Sequence, residues 1–241
     1  MMTDIAANID LIRSQVPENV KLVAVSKTRP VEDILKAYNA GQRTFGENRV
    51  QEIIRKKDLL PPDIEWHMIG HLQSNKVKLI APFISMIQSV DSMNLLNVIN
   101  SEASKNERII DCLLELYIAR EETKSGFSPE ELIELLDSGK TNDLKNIRIC
   151  GLMGMATFTR DAGQVRDEFR YLHTAYTRLK ENYFSNDIFF REISMGMSGD
   201  YHIAIGEGST MIRVGSLIFG ERNTNKQQNG KTLNNLPRAE P

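Results

Sequence analysis

The chain has 241 residues and a formal net charge of −2, with 41% hydrophobic and 26% charged residues. These values are typical of an ordinary globular protein, and the small net charge predicts neither a nucleic-acid nor a membrane partner. The N-terminus lacks a basic segment followed by an apolar stretch, and no apolar run approaches the ~18 residues of a membrane span. Two cysteines without metal-ligand spacing indicate a reducing compartment. We therefore expect a cytoplasmic protein, and we expect a monomer.

Helix-like and strand-like segments alternate along the chain. An amphipathic helix is predicted at the start, where apolar residues recur at helical spacing: Ile5, Ile9, Ile12 and Val16. Helix starts are also predicted at Ser92 and at Ser128, which precedes a proline. The strand candidates are short and mostly apolar: 21–26, 43–46, 64–69, 85–90, 111–119, 147–153, 189–193 and 211–214.

Strands separated by helices predict a parallel sheet covered by helices on its faces. Two α/β architectures fit: an open doubly wound sheet and a closed (β/α)8 barrel. The count of eight strands favours the barrel, and no G-x-G-x-x-G follows the first strand, as a dinucleotide-binding sheet would require. We predict a single (β/α)8 TIM-type barrel with an extra N-terminal helix over residues 1–222. Residues 223–241 are polar and are predicted to form a disordered tail.

Chemically unusual residues follow six of the eight strands, at the barrel end where active sites lie. They are Ser26-Lys27, Phe45-Gly46-Glu47-Asn48, the segment from Ile69 to Lys76, the segment from Gly151 to Met155, the segment from Ser194 to Asp200, and Arg213-Val214-Gly215-Ser216. His67 and His71 are four residues apart on a strand and its loop, so we expect no metal site there. The sequence therefore predicts a binding site at this end of the barrel.

The two ends of the predicted site differ in chemistry. Lys27 closes the first strand, where partial desolvation favours a nucleophilic amine that can form a Schiff base with an aldehyde. The loops after the seventh and eighth strands are rich in Gly and Ser, as in the phosphate sites of many barrels. A phosphorylated aldehyde would span the two ends. Pyridoxal 5′-phosphate (PLP) and a phosphorylated sugar both satisfy this requirement.

The chain resembles the pyridoxal phosphate homeostasis protein family over residues 20–222. The resemblance rests on separate motifs along the chain: Ala24-Val25-Ser26-Lys27, Phe45-Gly46-Glu47-Asn48-Arg49-Val50-Gln51-Glu52, Trp66-His67 with Ile69-Gly70-His71-Leu72-Gln73-Ser74-Asn75-Lys76, Gly151-Leu152-Met153, Ser194-Met195-Gly196-Met197-Ser198-Gly199-Asp200, and Arg213-Val214-Gly215-Ser216 with Ile218-Phe219-Gly220.

This resemblance implies a barrel of the alanine-racemase-like PLP class and a role for each of six residues. Lys27 is the implied Schiff-base lysine, Asn48 lies beside the cofactor, Arg213 meets the pyridine nitrogen, and the phosphate is held by Ser198, Gly215 and Ser216. Because an arginine stays protonated, the ring nitrogen is expected to remain unprotonated, which makes the ring a weaker electron sink.

The expected function is PLP binding in intracellular PLP homeostasis and delivery, without efficient turnover and with no catalytic residue. Apo forms of PLP-dependent enzymes are the expected recipients. An amino-acid racemase is the first alternative, but it needs a second base opposite Lys27. The fold relatives supply that base as a tyrosine from a second domain or partner subunit, and this chain ends soon after its eighth strand. A Schiff-base aldolase is the second alternative, and it needs a carboxylate–lysine relay inside the barrel, whereas no other lysine ends a strand candidate.

Overall fold

The computed structural model describes residues 3–119 and 126–221 of the chain. Eight parallel strands form a closed barrel in chain order, and the barrel closes where the last strand pairs with the first. The strands are β1 (Lys21–Val25), β2 (Thr44–Glu47), β3 (Glu65–Met68), β4 (Met86–Val90), β5 (Ile110–Glu115), β6 (Ile147–Met153), β7 (Glu192–Ser194) and β8 (Met211–Val214). The predicted (β/α)8 barrel is therefore confirmed.

Helices surround the barrel, and two of them begin after the capping residues that the sequence predicted, Ser92 and Ser128. The described α-helices are α1 (Ile5–Gln15), α2 (Val31–Asn39), α3 (Val50–Lys57), α4 (Val77–Ile80), α5 (Met93–Lys105), α6 (Pro129–Asp137), α7 (Ala162–Asn182), α8 (Tyr201–Gly206) and α9 (Ser216–Phe219). The Ser92 side chain accepts from the Leu95 amide, and Ser128 forms a capping box with Glu131. The extra N-terminal helix is confirmed as α1. None of the helices in the described ranges is long and apolar enough to cross a membrane.

Two strand boundaries differ from the sequence prediction by more than one residue. β5 ends at Glu115 rather than at residue 119, because the chain leaves the sheet and Leu116 forms an isolated bridge with Phe127. β7 begins at Glu192 rather than at residue 189. The aromatic residue before it, Phe190, is buried and stacks on Phe184 with ring centroids 4.1 Å apart, so it belongs to helix packing outside the barrel. The predicted tail, 223–241, lies outside the described residues, and the division at residue 222 stays a prediction.

The apolar core has two parts, as expected of a barrel inside a ring of helices. The larger cluster joins the outer faces of the strands to the helices. The smaller cluster draws on five strands and comprises Val23, Met86, Leu113, Cys150, Met153 and Met211. Buried polar side chains also come from the strands, and four of them are linked by hydrogen bonds: His67, Gln88, Ser194 and Arg213. These polar groups connect the core to the functional end of the barrel.

Candidate functional site

One cavity of about 540 Å³ opens at the C-terminal end of the barrel. All six residues that the resemblance implied line it: Lys27, Asn48, Ser198, Arg213, Gly215 and Ser216. They come from the ends of β1, β2, β7 and β8, so barrel closure brings together residues as far apart in sequence as 27 and 216. The structure therefore brings all six predicted residues together in one cavity. The role of each residue stays a prediction.

Lys27 is half-buried and lies in a turn that directly follows β1. The residues on both sides of it are hydrogen-bonded to carboxylates. The buried Ser26 hydroxyl donates to Oε1 of Glu47 at 2.7 Å, and the Thr28 amide donates to Oε2 of Glu52 at 2.6 Å. The turn that presents Lys27 is thus held on each side by a hydrogen bond to a glutamate side chain.

Asn48 forms part of the wall where the loops after β2 and β3 approach closely. A Cβ atom added at Gly70 would lie 2.7 Å from the carbonyl oxygen of Asn48 and 2.8 Å from its Cα atom, so only glycine fits at this contact. Oδ1 of Asn48 is buried and has no hydrogen-bond partner among the described residues. A buried amide oxygen without a protein partner at a cavity wall suits a ligand or a water molecule.

The loops after β7 and β8 also line the cavity, next to the end of β1. The Gly215 amide donates to the Ser198 hydroxyl at 3.2 Å, and the Met197 amide donates to Oδ1 of Asp200 at 2.5 Å. A Cβ atom at Gly215 would lie 3.2 Å from the Val25 carbonyl oxygen, which is tighter than ordinary van der Waals contact. Hydroxyl and backbone groups are therefore concentrated at this end, an arrangement suited to an anion.

Arg213 supplies a buried cation to the cavity. Its side chain donates to the Ser194 hydroxyl at 2.6 Å and to the Gly154 carbonyl at 3.0 Å, and the residue is only 4% exposed. Burial lowers the pKa of Arg213 to about 10, against the opposing effect of Glu115 and Asp200. That pKa still lies well above neutral pH, so the guanidinium remains a hydrogen-bond donor.

A chain of buried hydrogen bonds continues from Arg213 across the barrel. The Ser194 hydroxyl donates to Oε1 of Gln88 at 2.7 Å, and Nε2 of Gln88 lies 2.8 Å from Nδ1 of His67. Because the Gln88 amide nitrogen can only donate, Nδ1 of His67 accepts and its proton sits on Nε2. Burial lowers the pKa of His67 to about 3, so this ring is neutral at physiological pH.

Sequence reasoning identified the residues of the cavity rim and missed those that support them. The sequence did contain a signal for Gln88, because a polar residue in an otherwise largely apolar strand segment indicates a buried polar contact. Asp200 lay in a quoted motif without an assigned role. Within residues 3–119 and 126–221, no cluster of His, Cys, Asp and Glu is arranged to hold a metal ion.

Comparisons with known proteins agree on one family. Residues 2–223 match the family described as alanine racemase, N-terminal domain. The pyridoxal phosphate homeostasis protein of Aquifex aeolicus is 42% identical over 203 residues, covering 84% of this chain and 87% of that protein. The protein of the same name from Schizosaccharomyces pombe is 39% identical over 235 residues, covering 93% and 96%. The solved structure of PipY from Synechococcus elongatus with PLP bound has a TM-score of 0.81 at 36% identity, covering 90% of this chain and all of that one.

Proposed function

This chain belongs to the pyridoxal phosphate homeostasis protein family, and on that premise we propose that it binds PLP as a Schiff base on Lys27 and acts in PLP homeostasis and delivery without efficient turnover. The observation that carries the proposal is the convergence of Lys27 and the Ser198–Gly215–Ser216 loops on one cavity. A primary amine and an anion-binding cradle in the same cavity match the two reactive ends of this cofactor.

The donor set of the cavity fits PLP group by group. Ser198, Gly215 and Ser216 offer hydroxyl and amide groups to the phosphate, and Asn48 brings an amide whose oxygen has no partner in the described part of the chain. Arg213 offers N–H groups and no acceptor, which suits an unprotonated aromatic nitrogen. These groups are held at the ends of β2, β7 and β8, so the set is preorganised before a ligand arrives.

The proposed absence of efficient turnover follows from Arg213. Bound PLP supplies an aldehyde for a Schiff base and a conjugated ring that withdraws electrons from the attached carbon. A guanidinium at the ring nitrogen gives up no proton near neutral pH, so the nitrogen keeps its lone pair and the ring withdraws electrons less strongly. Retention and release of the cofactor need only the amine and the phosphate cradle, and both remain available.

A racemase would place a second proton-transferring side chain on the face opposite Lys27. No tyrosine, histidine or cysteine is among the described residues that line the cavity. Asp200 is the carboxylate there, and its Oδ1 accepts the Met197 amide hydrogen. The geometry therefore supports binding better than it supports racemisation.

The test is to load the apo-protein with PLP, reduce it with borohydride and map the labelled peptide. We expect a Schiff-base absorbance and a pyridoxyl group on Lys27, both lost in Lys27→Ala. Lys21→Ala is the matched control, because Lys21 lies at the other end of β1 and does not line the cavity. A label on another lysine would contradict the assigned site, and the lack of any Schiff-base absorbance would contradict the proposed attachment of PLP to Lys27.

Delivery is tested with an apo form of a PLP-dependent enzyme as the acceptor. Two rates are compared at the same concentration of holo-protein: the rate at which the acceptor regains activity, and the rate at which PLP is released into buffer that contains a PLP-trapping amine. We expect the first rate to be higher. Equal rates would indicate passive release and would contradict a delivery role.

A further inference from the structure

The turn that carries Lys27 is held by three charged side chains, Glu47, Glu52 and Lys56, which we call the turn clamp. We propose that the turn clamp is a positioning device that fixes the direction of the Lys27 side chain and so sets how readily it condenses with an aldehyde. The inference rests on the proposed role of Lys27 and adds the residues that make that role possible.

Lys56 is the centre of the turn clamp. It is only 8% exposed, and its Nζ atom donates to Oε1 of Glu47 at 2.7 Å, to the Ser26 carbonyl at 3.0 Å and to Oε2 of Glu52 at 3.1 Å. These three acceptors use all three N–H donors of the ammonium group. A buried lysine with its full set of partners has one orientation, and here that orientation fixes the backbone immediately before Lys27.

Glu52 fixes the backbone immediately after Lys27. Its Oε2 atom accepts from the Thr28 amide at 2.6 Å. Burial tends to raise the pKa of Glu52, but the hydrogen bond from Thr28 and the contacts with Lys56 bring it below its ordinary value, so the carboxylate is ionised at neutral pH. Because α3 carries both Glu52 and Lys56 one turn apart, a single helix grips the turn on both sides.

Thr28 shows that the turn needs this support. Its φ angle is +64°, in the left-handed region that β-branched residues rarely adopt. Such a conformation is unfavourable in isolation and persists only where surrounding contacts hold it. The contacts seen here are the Glu52 carboxylate on the Thr28 amide and the Ser26 carbonyl, which accepts from both Lys56 and the Arg29 amide at 3.0 Å.

The turn clamp lies behind the cavity rather than in it. None of its three residues is among the described residues that line the cavity, whereas Lys27 between the two gripped positions does line it. The three residues therefore act through Lys27 and are positioning residues. A purely structural role would change the stability of the protein, while a positioning role also changes the fraction of bound PLP that is joined to Lys27.

The experiment compares Glu52→Ala with wild type and with Glu32→Ala, a substitution of an exposed glutamate in the neighbouring helix α2. Total bound PLP is measured after rapid filtration, and the covalent share is measured as pyridoxyl-Lys27 after borohydride reduction. We expect Glu52→Ala to lower the equilibrium ratio of covalent to non-covalent PLP by about tenfold, the order of one lost hydrogen bond to a charged group. We expect Glu32→Ala to keep the wild-type ratio.

The rescue variant is Thr28→Gly in the Glu52→Ala background, because glycine adopts positive φ without the penalty of a side chain. We expect it to recover most of the covalent ratio. If Glu52→Ala proves too unstable to load, Glu52→Gln is used instead, because it keeps an acceptor for the Thr28 amide. We expect its ratio of covalent to non-covalent PLP to lie between the wild-type ratio and the tenfold lower one. An unchanged ratio in the Glu52 variants, or no recovery with Thr28→Gly, would overturn the inference. Failure of the wild-type protein itself to label Lys27 would instead overturn the proposed function.

Discussion

Arg213 and Ser194 are joined by a buried hydrogen bond of 2.6 Å, in which the guanidinium donates and the serine oxygen accepts. The direction of this bond is fixed by the next residue, because the Ser194 hydroxyl hydrogen is committed to Oε1 of Gln88 at 2.7 Å. The guanidinium therefore has one acceptor on β7 and a second in the Gly154 carbonyl after β6. Together these acceptors set the plane in which Arg213 faces the cavity.

The first prediction is that Ser194→Ala makes the position of the Arg213 guanidinium less well defined. The change leaves a buried cation with one fewer acceptor and should destabilise the fold by about 1–3 kcal/mol. It should also alter the absorbance spectrum of bound PLP, because the side chain proposed to meet the ring nitrogen moves. Urea unfolding and a spectral titration measure the two effects. Ser209→Ala is the control, since Ser209 is equally buried and hydrogen-bonded but does not contact Arg213. A wild-type spectrum in Ser194→Ala would argue against the role of Arg213.

The second prediction concerns the phosphate cradle. Ser198→Ala removes a hydroxyl from the cavity and the acceptor of the Gly215 amide, so PLP retention should weaken by about 1–3 kcal/mol. The double change with Ser216→Ala should weaken it further. Dialysis or equilibrium titration with PLP measures the loss, and Ser101→Ala, an exposed serine on α5, is the control. Unchanged retention in the single and double variants would mean that the phosphate lies elsewhere.

The third prediction uses the contact between Gly70 and Asn48. A methyl group at position 70 would lie 2.7 Å from the Asn48 carbonyl oxygen, so Gly70→Ala must displace the loop that carries Asn48. We expect a loss of about 1–3 kcal/mol in stability from overpacking, together with weaker PLP binding. Gly206→Ala is the control, because a Cβ atom there meets no atom within 4 Å. Thermal unfolding and PLP titration measure the two losses, and intact binding in Gly70→Ala would remove Asn48 from the proposed site.

The sequence was sufficient to predict the barrel and the residues at the rim of the site, because both depend on the order of strands and loops along the chain. Each strand ends in a loop at the same edge, so the placement of Lys27, Asn48 and Ser198 follows once the strand order is known. The supporting contacts depend instead on which strands face one another across the barrel. The Gln88–Ser194 bond joins residues 106 positions apart, and the Lys56–Ser26 bond depends on how α3 packs behind β1. Neither pairing leaves a periodic signal in the sequence.

The fourth prediction is a pH dependence of stability that comes from His67. Its pKa is lowered by burial from the ordinary 6.5 to about 3, so between these values the unfolded chain binds a proton that the folded chain does not. Stability should therefore fall as the pH drops through 6.5, by up to about 1.4 kcal/mol per pH unit from this residue. His67→Gln should reduce that slope in urea unfolding between pH 4 and 6.5. Equal slopes in wild type and His67→Gln would contradict the burial of a neutral imidazole.

The last prediction is that the loaded protein turns over amino acids poorly. Arg213 keeps its proton near neutral pH, and at its proposed place beside the ring nitrogen it limits how strongly the ring can stabilise a carbanion. Among the described residues that line the cavity, Lys27 is a base, and no tyrosine, histidine or cysteine is present as a second one. Binding needs neither a strong electron sink nor a second base. We therefore expect reversible PLP loading, exchange with added amines and release to acceptor apo-enzymes.

The measurement is incubation of the holo-protein with a panel of L- and D-amino acids in deuterium oxide. Chiral chromatography reports racemisation, and mass spectrometry reports deuterium uptake at Cα. Lys27→Ala is the control for background exchange by free PLP, since it removes the proposed Schiff base. Slow exchange that stays far below ordinary enzyme rates is the expected result, because a weak electron sink can labilise Cα–H without supporting rapid turnover. Racemisation at about 1 per second or faster would favour the racemase instead.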